Sequence, residues 1–235
     1  MSFSTLDDFL QRASDRLDPI SGDGQLHEVG DLDFVDEERV QSIRPAAVWI
    51  PVIPRIEGPT ALLTRRPDTM ASHPGQVAFP GGKVDPVDVD EVAAALREAE
   101  EEVGVVPETV DLVGRSAPYV TGTAFRITPV IGVLPSDFRA QPDPTEVADV
   151  FEAPLDFLFN AANHQTGTAF YKGKHRSFTE MPWQGFRIWG VTAGIIRDLY
   201  ANLYESWGDC RVAPRILLQL VLFALPFILF ALYRL

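Results

Sequence analysis

Three glutamates, Glu98, Glu101 and Glu102, stand at helical spacing in a stretch whose apolar residues also follow a helical period. At about 100° per residue, their carboxylates lie within about a third of the helix circumference, away from the apolar stripe. Like charges at this spacing repel one another on a bare helix. A hard divalent cation would relieve the repulsion, so the pattern indicates a metal site. A solvated acidic face is the alternative. The apolar stripe consists of Val92, Leu96, Ala99 and Val103.

The residues around the glutamates favour the metal site. Phe79-Pro80-Gly81-Gly82 precedes the helix and is a turn that could bring backbone carbonyls close to the same place. Arg97 stands directly before Glu98, where a guanidinium could orient the carboxylate. Gly104 follows the last apolar residue, in the position expected of a helix C-cap.

This stretch resembles the Nudix box, Gx5Ex7REUxEExGU, in which U is apolar. The second half matches in register. The first half departs from the motif, because its acidic position is Asp88, and eight residues instead of seven separate Asp88 from Arg97. One extra loop residue before the helix is easily accommodated. It leaves open whether Asp88, Asp90 or Glu91 pairs with Arg97. The matching residues are Arg97, Glu98, Ala99, Glu101, Glu102, Gly104 and Val105.

A second signature lies upstream of the box. The segment from Leu62 to Arg66, followed by Gly75 and the Phe-Pro-Gly-Gly turn, is similar to the signature of the coenzyme A diphosphatase branch of the Nudix family. That branch commonly has a basic residue where this chain has Ala71. The resemblance implies coenzyme A as substrate, with 3',5'-ADP and 4'-phosphopantetheine as products. Arg65, Arg66 and Lys83 are the predicted phosphate-binding residues, although the two arginines could also be surface charge at a strand end.

The family resemblance also implies a fold and a mechanism. The expected fold is the Nudix α/β/α sandwich with a mixed β-sheet. Mg²⁺ or Mn²⁺ would be bound by Glu98, Glu101, Glu102 and the Gly81 carbonyl, since these hard ions prefer oxygen ligands. The catalytic candidates are Glu98, Arg97 and Glu101, with Glu98 as general base positioned by Arg97.

A further carboxylate from a loop after the box is expected in many Nudix enzymes. Glu146 is the candidate here, with Asp149 and Glu152 as rivals, and an exposed loop glutamate is the alternative. Of the four histidines, His73 lies in the signature loop, where a structural role is expected.

Composition limits the function classes. With 235 residues, 46% of them hydrophobic, the chain can bury a full core. A formal charge of −13 argues against a nucleic-acid binder. A phosphate substrate remains possible, because metal ions can supply positive charge locally. The single cysteine, Cys210, excludes an internal disulfide and a Cys-rich zinc site. This cysteine usage favours a reducing compartment and so a cytoplasmic catalytic domain. Acidic residues near the N-terminus argue against a secretory signal.

Three regions are predicted: a helical extension over 1–29, the Nudix domain over 30–209, and a hydrophobic tail over 210–235. Residues 216–233 form an apolar run interrupted by Gln219 and Pro226. As a helix, this run would be about 27 Å long, close to the hydrocarbon thickness of a bilayer. We expect a membrane anchor with the Arg211 and Arg215 side in the cytoplasm. A hydrophobic hairpin and an oligomer interface are alternatives, and the oligomeric state stays open.

Periodicity predicts the remaining elements. Two buried strands are joined by a turn over 54–59, and loops cover 18–44, 121–123 and 141–149, with a possible helical turn over 36–40. Lys172, Lys174, His175 and Arg176 belong to an expected edge strand and would face solvent or an anionic ligand. The predicted helices cover 4–17, capped by Ser4 or Thr5, then 92–103, 155–160 and 189–203; the predicted strands cover 46–53, 60–64, 76–79, 110–113, 126–134, 170–178 and 186–189.

Two other functions compete with coenzyme A hydrolysis. The first is hydrolysis of another nucleotide diphosphate derivative, such as a nucleoside diphosphate sugar or a dinucleotide. The second is a non-catalytic Nudix domain that binds a nucleotide and is tethered to a membrane. The complete set of acids in REAEEEVG argues against the silent domain.

Overall fold

A mixed β-sheet with helices on both faces forms the centre of the molecule. The computed structural model describes residues 5–31, 42–171 and 174–205. Its contacts group the described elements into one compact unit that ends at Tyr204. The elements are α1 (Leu6–Arg16), β1 (Val29–Gly30), β2 (Arg44–Arg55), β3 (Gly58–Arg65), β4 (Val77–Ala78), β5 (Gly81–Lys83), α2 (Glu91–Val103), β6 (Asp111–Arg115), β7 (Tyr119–Val120), β8 (Phe125–Val133), β9 (Asp149–Pro154), α3 (Leu155–Leu158), β10 (Gln165–Tyr171), β11 (Lys174–Trp183), β12 (Phe186–Trp189) and α4 (Val191–Tyr204). Single 3₁₀ turns cover Pro107–Thr109 and Ala161–Asn163.

Among the described residues, nine strands form the main sheet, in the order β1-β7-β8-β2-β3-β4 with β5, β6 and β9 added on β2, β8 and β3. The pairs β2–β8 and β1–β7 are parallel, and the other pairs in this sheet are antiparallel. Strands β10 to β12 form a separate three-stranded sheet. The mixed sheet confirms the predicted fold.

The central strands β2 and β3 are buried on both faces. Ile50 and Val52 of β2 belong to one core cluster, whereas Trp49 and Ile53 belong to the other. In β3, Leu62 faces the second cluster while its neighbours face the first. A strand covered on both sides needs apolar residues at every position, which explains the continuous apolar runs in the sequence.

The helices cover the two faces of the sheet. Helix α2 packs on the Trp49 side through Ala95, Ala99 and Val103. Helices α1 and α4 contribute to the other cluster, where Phe9 is fully buried. Thr5 caps α1 by accepting the Asp8 backbone N–H at 3.2 Å, which decides between the two predicted caps.

Several predicted elements differ from the structure. The segment 170–178 is not one edge strand: it contains the end of β10 and the start of β11, and these strands pair antiparallel in the separate sheet. Gly81 and Gly82, predicted as a turn, form β5, which pairs with Ala46–Val48 of β2. Asp149, predicted in a loop, begins β9. In each of these cases, pairing with another strand decides the conformation.

Some sequence predictions lie outside the described residues. These are the helical turn over 36–40, Lys172, Cys210 and the apolar tail over 216–233. Among the helices that the structure describes, none has the length and hydropathy needed to cross a bilayer.

Candidate active site

Helix α2 presents its acids next to the glycines of β5. Asp90 caps its start, where the Asp90 carboxylate accepts the Ala93 N–H at 2.8 Å. Gly104 ends it in a left-handed conformation with φ 69°, as predicted from the sequence. With both ends fixed and the alanine face packed on the sheet, the rotation of the helix about its axis is set, so each glutamate has a defined environment.

Glu102 is buried, with only 4% of the residue exposed. Its carboxylate accepts a hydrogen bond from the Gly81 backbone N–H. The second carboxylate oxygen, Oε2, is buried and has no hydrogen-bond partner. Burial raises the pKa of Glu102 to about 8. The charges of Glu98 and Glu146 add to this shift, and the charge of Arg66 opposes it. A buried carboxylate oxygen without a partner is costly, and a ligand at this position would satisfy it.

Glu98 lies directly against β5. A Cβ placed on Gly82 would overlap the Glu98 carboxylate, so any larger residue there would displace that carboxylate from its position. Gly81 adopts φ 154°, and a Cβ at that position would lie 2.7 Å from the Val48 Cα. Burial raises the pKa of Glu98. The positive charge of Arg97 opposes this shift, and the negative charges of Glu101 and Glu146 add to it. The two glycines therefore allow the backbone of β5 to approach the acidic side of α2.

Arg97 pairs with Asp88, which resolves the alternatives left by the sequence. Arg97 Nε and Nη2 donate to the two Asp88 carboxylate oxygens at 3.0 and 3.1 Å. Arg97 Nη1 donates to Glu98 Oε1 and to Glu101 Oε2, both at 3.1 Å. The rival acids have other roles: Asp90 is the helix cap, and Glu91 lies 3.6 Å from Arg126. Arg97 thus joins the loop before α2 to two of the predicted metal ligands.

The three predicted phosphate-binding residues have different environments. Arg65 forms ion pairs with Asp149 at 2.6 Å and with Asp68 at 3.2 Å. Arg66 lies close enough to Glu102 to lower its pKa, and its buried Nε has no hydrogen-bond partner. The Lys83 carbonyl accepts a hydrogen bond from Arg97 at 3.2 Å, and the residue is exposed.

The loop after β8 brings Glu146 towards the acids of α2. The charge of Glu146 raises the pKa of both Glu98 and Glu102. The backbone explains this position, because the Asp143 N–H donates to the Glu102 carbonyl at 3.0 Å. The rival carboxylates are paired elsewhere: Asp149 with Arg65, and Glu152 with Arg55 at 2.6 Å.

The residues around Glu102 offer the types of ligand that a divalent metal binds. Carboxylate and carbonyl oxygens are the donors that Mg²⁺ and Mn²⁺ prefer, and the unpartnered Glu102 oxygen lies among them. Within the part of the chain that the structure describes, no three acidic, histidine or cysteine side chains are already gathered as a ligand cluster. Glu98 and Glu101 contact Arg97 instead. The donor types and their location fit such an ion, because Arg97 engages one oxygen of each carboxylate, Glu98 Oε1 and Glu101 Oε2, and each has a second oxygen that can coordinate it.

Sequence reasoning found these acids but missed how Glu102 and Arg66 differ from their neighbours. Glu101 and Glu102 are adjacent and identical in the sequence, yet the first is exposed and the second buried. The helical period could have shown this difference, because Glu102 lies three residues after the buried Ala99. The burial of Arg66 Nε depends on packing between distant segments and had no local signal.

Comparison with known proteins identifies the class. A family model of the NUDIX domain matches residues 43–170. The chain therefore belongs to the Nudix family. It is a Nudix pyrophosphohydrolase, a class of enzyme that generally hydrolyses pyrophosphate linkages in nucleotide-derived small molecules with a divalent metal such as Mg²⁺ or Mn²⁺.

Individual relatives are Nudix hydrolases of bacteria. The chain is 44% identical over 163 residues to the uncharacterized Nudix hydrolase NudL of Cronobacter sakazakii, covering 69% of this chain and 84% of that protein. It is 40% identical over 195 residues to the NudL of an Enterobacter species, covering 83% of this chain and 93% of the relative. For the Escherichia coli K12 NudL, identity is 43% over 157 residues, covering 66% of this chain and 81% of the relative.

Solved structures show more distant similarity. DR0079 from Deinococcus radiodurans aligns with a TM-score of 0.44 and 15% identity, covering 67% of this chain and 83% of that one. A Nudix hydrolase from M. smegmatis, RenU, aligns with a TM-score of 0.40 and 24% identity, covering 48% of this chain and 71% of that one.

Proposed function

We propose that this chain hydrolyses the diphosphate linkage of coenzyme A or a derivative, releasing 3',5'-ADP and 4'-phosphopantetheine. The substrate class is supported by the segment from Leu62 to Arg66 and by Gly75 with the Phe-Pro-Gly-Gly turn, which resemble the signature of the coenzyme A diphosphatase branch. Ala71 departs from that signature.

The main support for a hydrolytic site is the buried carboxylate of Glu102, which accepts one hydrogen bond but has a second oxygen without a partner. Its free Oε2 lies near Glu98, Arg66 and the Gly81 backbone. We assign the metal to Glu98, Glu101, Glu102 and the Gly81 carbonyl. When bound, Mg²⁺ or Mn²⁺ lowers the pKa of water and neutralises charge on phosphate oxygens.

The side chains around the metal ligands have separate roles in this proposal. Glu98 takes the proton from the attacking water as general base, and Arg97 positions its carboxylate through the 3.1 Å contact. Arg66 contacts the diphosphate, since it lies close enough to Glu102 to lower its pKa and its buried Nε donor has no hydrogen-bond partner. Lys83 is exposed and can reach a phosphate, whereas Arg65 is already held by two carboxylates. Glu146 is the additional acid.

A substrate panel tests the proposal. Coenzyme A, ADP-ribose, a nucleoside diphosphate sugar and a dinucleotide would be incubated with the full chain and Mn²⁺ or Mg²⁺, with products separated by chromatography. We expect coenzyme A to have the highest kcat/KM and to yield 3',5'-ADP. A higher kcat/KM for another diphosphate would move the assignment to that substrate. Binding of every compound without turnover would favour the silent nucleotide-binding domain.

From the sequence alone, we also propose that residues 216–233 anchor a cytoplasmic catalytic domain to a membrane. The supporting features are the apolar length and the arginines on either side of it, Arg215 and Arg234. Alkaline washing of membranes from cells that express the full chain tests this. An anchored chain stays with the membranes, whereas release into the supernatant would exclude a span.

A further inference from the structure

A second site is indicated by a cleft that lies apart from the box acids. The cleft has a volume of about 500 Å³, within the range of about 300–1,000 Å³ typical of small-molecule sites. It is formed by the signature loop, the loop after β7, the small sheet and α4. Glu98, Glu101 and Glu102 are not among its lining residues. The charged and aromatic side chains of its lining include Asp31, His73, Arg176, Phe178, Trp189 and Arg197.

One wall of the cleft is aromatic. Phe178 of β11 and Trp189 of β12 lie with ring centroids 5.6 Å apart at an interplanar angle of 61°. Both residues are partly exposed. Arg187 lies 5.6 Å from the centre of the Phe178 ring and 5.0 Å from that of Trp189, so cation–π contacts help to hold both rings in place. Partly exposed, fixed rings of this kind provide a stacking surface for a planar heterocycle.

Another part of the cleft lining is polar. The Gly122 N–H donates to Asp31 Oδ2 at 3.3 Å. A Cβ placed on Gly122 would come within 3.1 Å of Arg176 Nη1. The Arg176 guanidinium therefore extends from β11 to the loop after β7. Asp31 supplies an acceptor beside it that suits a ribose hydroxyl or a base amino group.

The basic groups of the cleft suit a phosphate ester. Arg176, Arg197 and His73 line it, and guanidinium groups match phosphate oxygens with paired donors. Arg197 is partly neutralised, because its guanidinium contacts Asp198 at 2.6 Å. Arg176 lies two residues before Phe178 on β11, on the same face of the strand, so it is the candidate for the phosphate of a ligand stacked on that ring. His73 adopts φ 55°, a conformation uncommon for a residue with a side chain and often found at ligand sites.

The cleft is connected to the catalytic site through the signature loop. The Arg66 N–H donates to the Gln76 carbonyl at 3.0 Å, and Thr192 Oγ1 donates to the Val77 carbonyl at 3.0 Å. The same short segment therefore contacts both Arg66 and the helix that lines the cleft. A substrate with one end at the box acids has a defined surface available for a second part.

We propose that this cleft binds the phosphorylated nucleoside portion of the substrate, with the base on Phe178 and Trp189 and a non-reacting phosphate monoester on Arg176. The inference rests on the proposed function, because it assumes a nucleotide substrate. An apolar ligand fits poorly, since it would displace water from the charged side chains of Asp31, Arg176 and Arg197 and offer them no hydrogen bonds in return. The cleft thus selects the substrate, and the box acids hydrolyse it.

Calorimetric titration of the full-length protein in EDTA tests this site without turnover. The probes are 3',5'-ADP, AMP, 4'-phosphopantetheine and inorganic phosphate. We expect 3',5'-ADP to bind most tightly and 4'-phosphopantetheine not to compete with it. Arg176→Gln and Trp189→Leu should each weaken 3',5'-ADP binding about tenfold or more. Arg139→Gln, a change at an exposed arginine outside the cleft, should bind as the unchanged protein does.

The outcomes separate the two proposals. If coenzyme A is hydrolysed but both cleft variants bind 3',5'-ADP as tightly as the unchanged protein, the cleft proposal is wrong and the proposed function stands. If binding depends on Arg176 and Trp189 but no diphosphate is hydrolysed, the cleft is supported and the proposed function fails. Glu102→Gln should retain 3',5'-ADP binding in EDTA. Melting curves of each variant exclude loss of fold as the cause of weaker binding.

Discussion

Arg97 donates two hydrogen bonds to the carboxylate of Asp88, whose side chain is only 4% exposed, at distances of 3.0 and 3.1 Å. This pair attaches the loop before α2 to the acidic side of that helix. Asp88 also accepts the Asp85 N–H at 2.7 Å, so one carboxylate fixes both the loop and the arginine. Because Arg97 also contacts Glu98, the loop sequence influences the position of the proposed general base.

Asp88→Asn is expected to lower kcat about tenfold and to lower the free energy of unfolding by about 1–2 kcal/mol, because Arg97 loses its anionic partner and an amide offers it only one neutral acceptor oxygen. Initial rates with Mn²⁺ and urea denaturation measure the two effects. Asp85→Asn is the matched control, since Asp85 is 58% exposed and lies 3.9 Å from Arg97. Equal behaviour of the two variants would contradict the positioning role of Asp88.

Glu101→Gln and Glu102→Gln should each reduce metal-dependent hydrolysis by at least about 100-fold, because each removes a charged oxygen ligand without changing side-chain volume. Steady-state kinetics over a range of Mn²⁺ concentrations measures the loss, and circular dichroism checks the fold. Glu100→Gln is the control, because Glu100 is exposed on the same helix and outside the predicted ligand set. Full turnover in both glutamine variants would refute the metal site.

The burial of Glu102 predicts how the stability of the metal-free protein depends on pH. Its pKa in the folded protein is about 8, against an ordinary value of 4.5. The folded state holds a proton that the unfolded chain releases in this range. The contribution to stability is therefore fully present below pH 4.5 and lost as the pH rises towards 8.

Glu102→Gln should remove this dependence, because glutamine does not titrate. Each pKa unit corresponds to about 1.4 kcal/mol. Between pH 5 and pH 8, the unchanged protein should therefore lose on the order of 3 kcal/mol relative to the variant. Urea denaturation in EDTA at both pH values gives the two differences in free energy. Parallel pH profiles for the two proteins would show that Glu102 is already ionised in the folded protein at pH 5.

Glu146→Gln should reduce kcat about tenfold or more, because the charge of Glu146 acts on both Glu98 and Glu102. Asp149→Asn is the comparison, since this carboxylate pairs with Arg65 at the start of β9. We expect it to change the melting temperature more than kcat. If Asp149→Asn abolishes hydrolysis and Glu146→Gln does not, the choice between the rival acids must be reversed.

The sequence predicted elements whose pattern is local. The period of α2, its cap at Gly104 and the continuous apolar runs of β2 and β3 each depend on neighbouring residues, and the structure agrees with them. The strand β5 was missed, because two glycines indicate a turn unless a partner strand pairs with them. The small sheet was misread for the same reason, since the pairing of β10 with β11 is not visible in the residues of either strand.

The functional residues were likewise predicted only in part from the sequence. The acids and Arg97 were found because their spacing on one helix is fixed by helix geometry. The cleft was not found, because Asp31, His73, Arg176 and Trp189 come from four segments that only the fold brings together. Arg176 appeared in the sequence only as one basic residue of a charged strand, with no indication of its neighbours.

The N-terminal helix offers a test of the predicted domain boundary at residue 29. Phe9 is fully buried and its ring lies 6.1 Å from that of Phe159, so α1 belongs to the core beneath the sheet. Phe9→Ala should lower the free energy of unfolding by about 3–5 kcal/mol through the cavity it leaves. The proposed metal ligands lie on α2, on the other face of the sheet, so kcat should change little at temperatures where the variant is folded.

Thermal melting and urea denaturation measure the loss, and Ile56→Ala is the control because Ile56 is fully exposed in the β2–β3 turn. An unfolding free energy for Phe9→Ala that matches this control would mean that α1 is a separable extension. A large loss of stability with unchanged kcat would mean that the folding unit begins before residue 29, because the catalytic domain then needs α1 to complete the core cluster that contains Phe9.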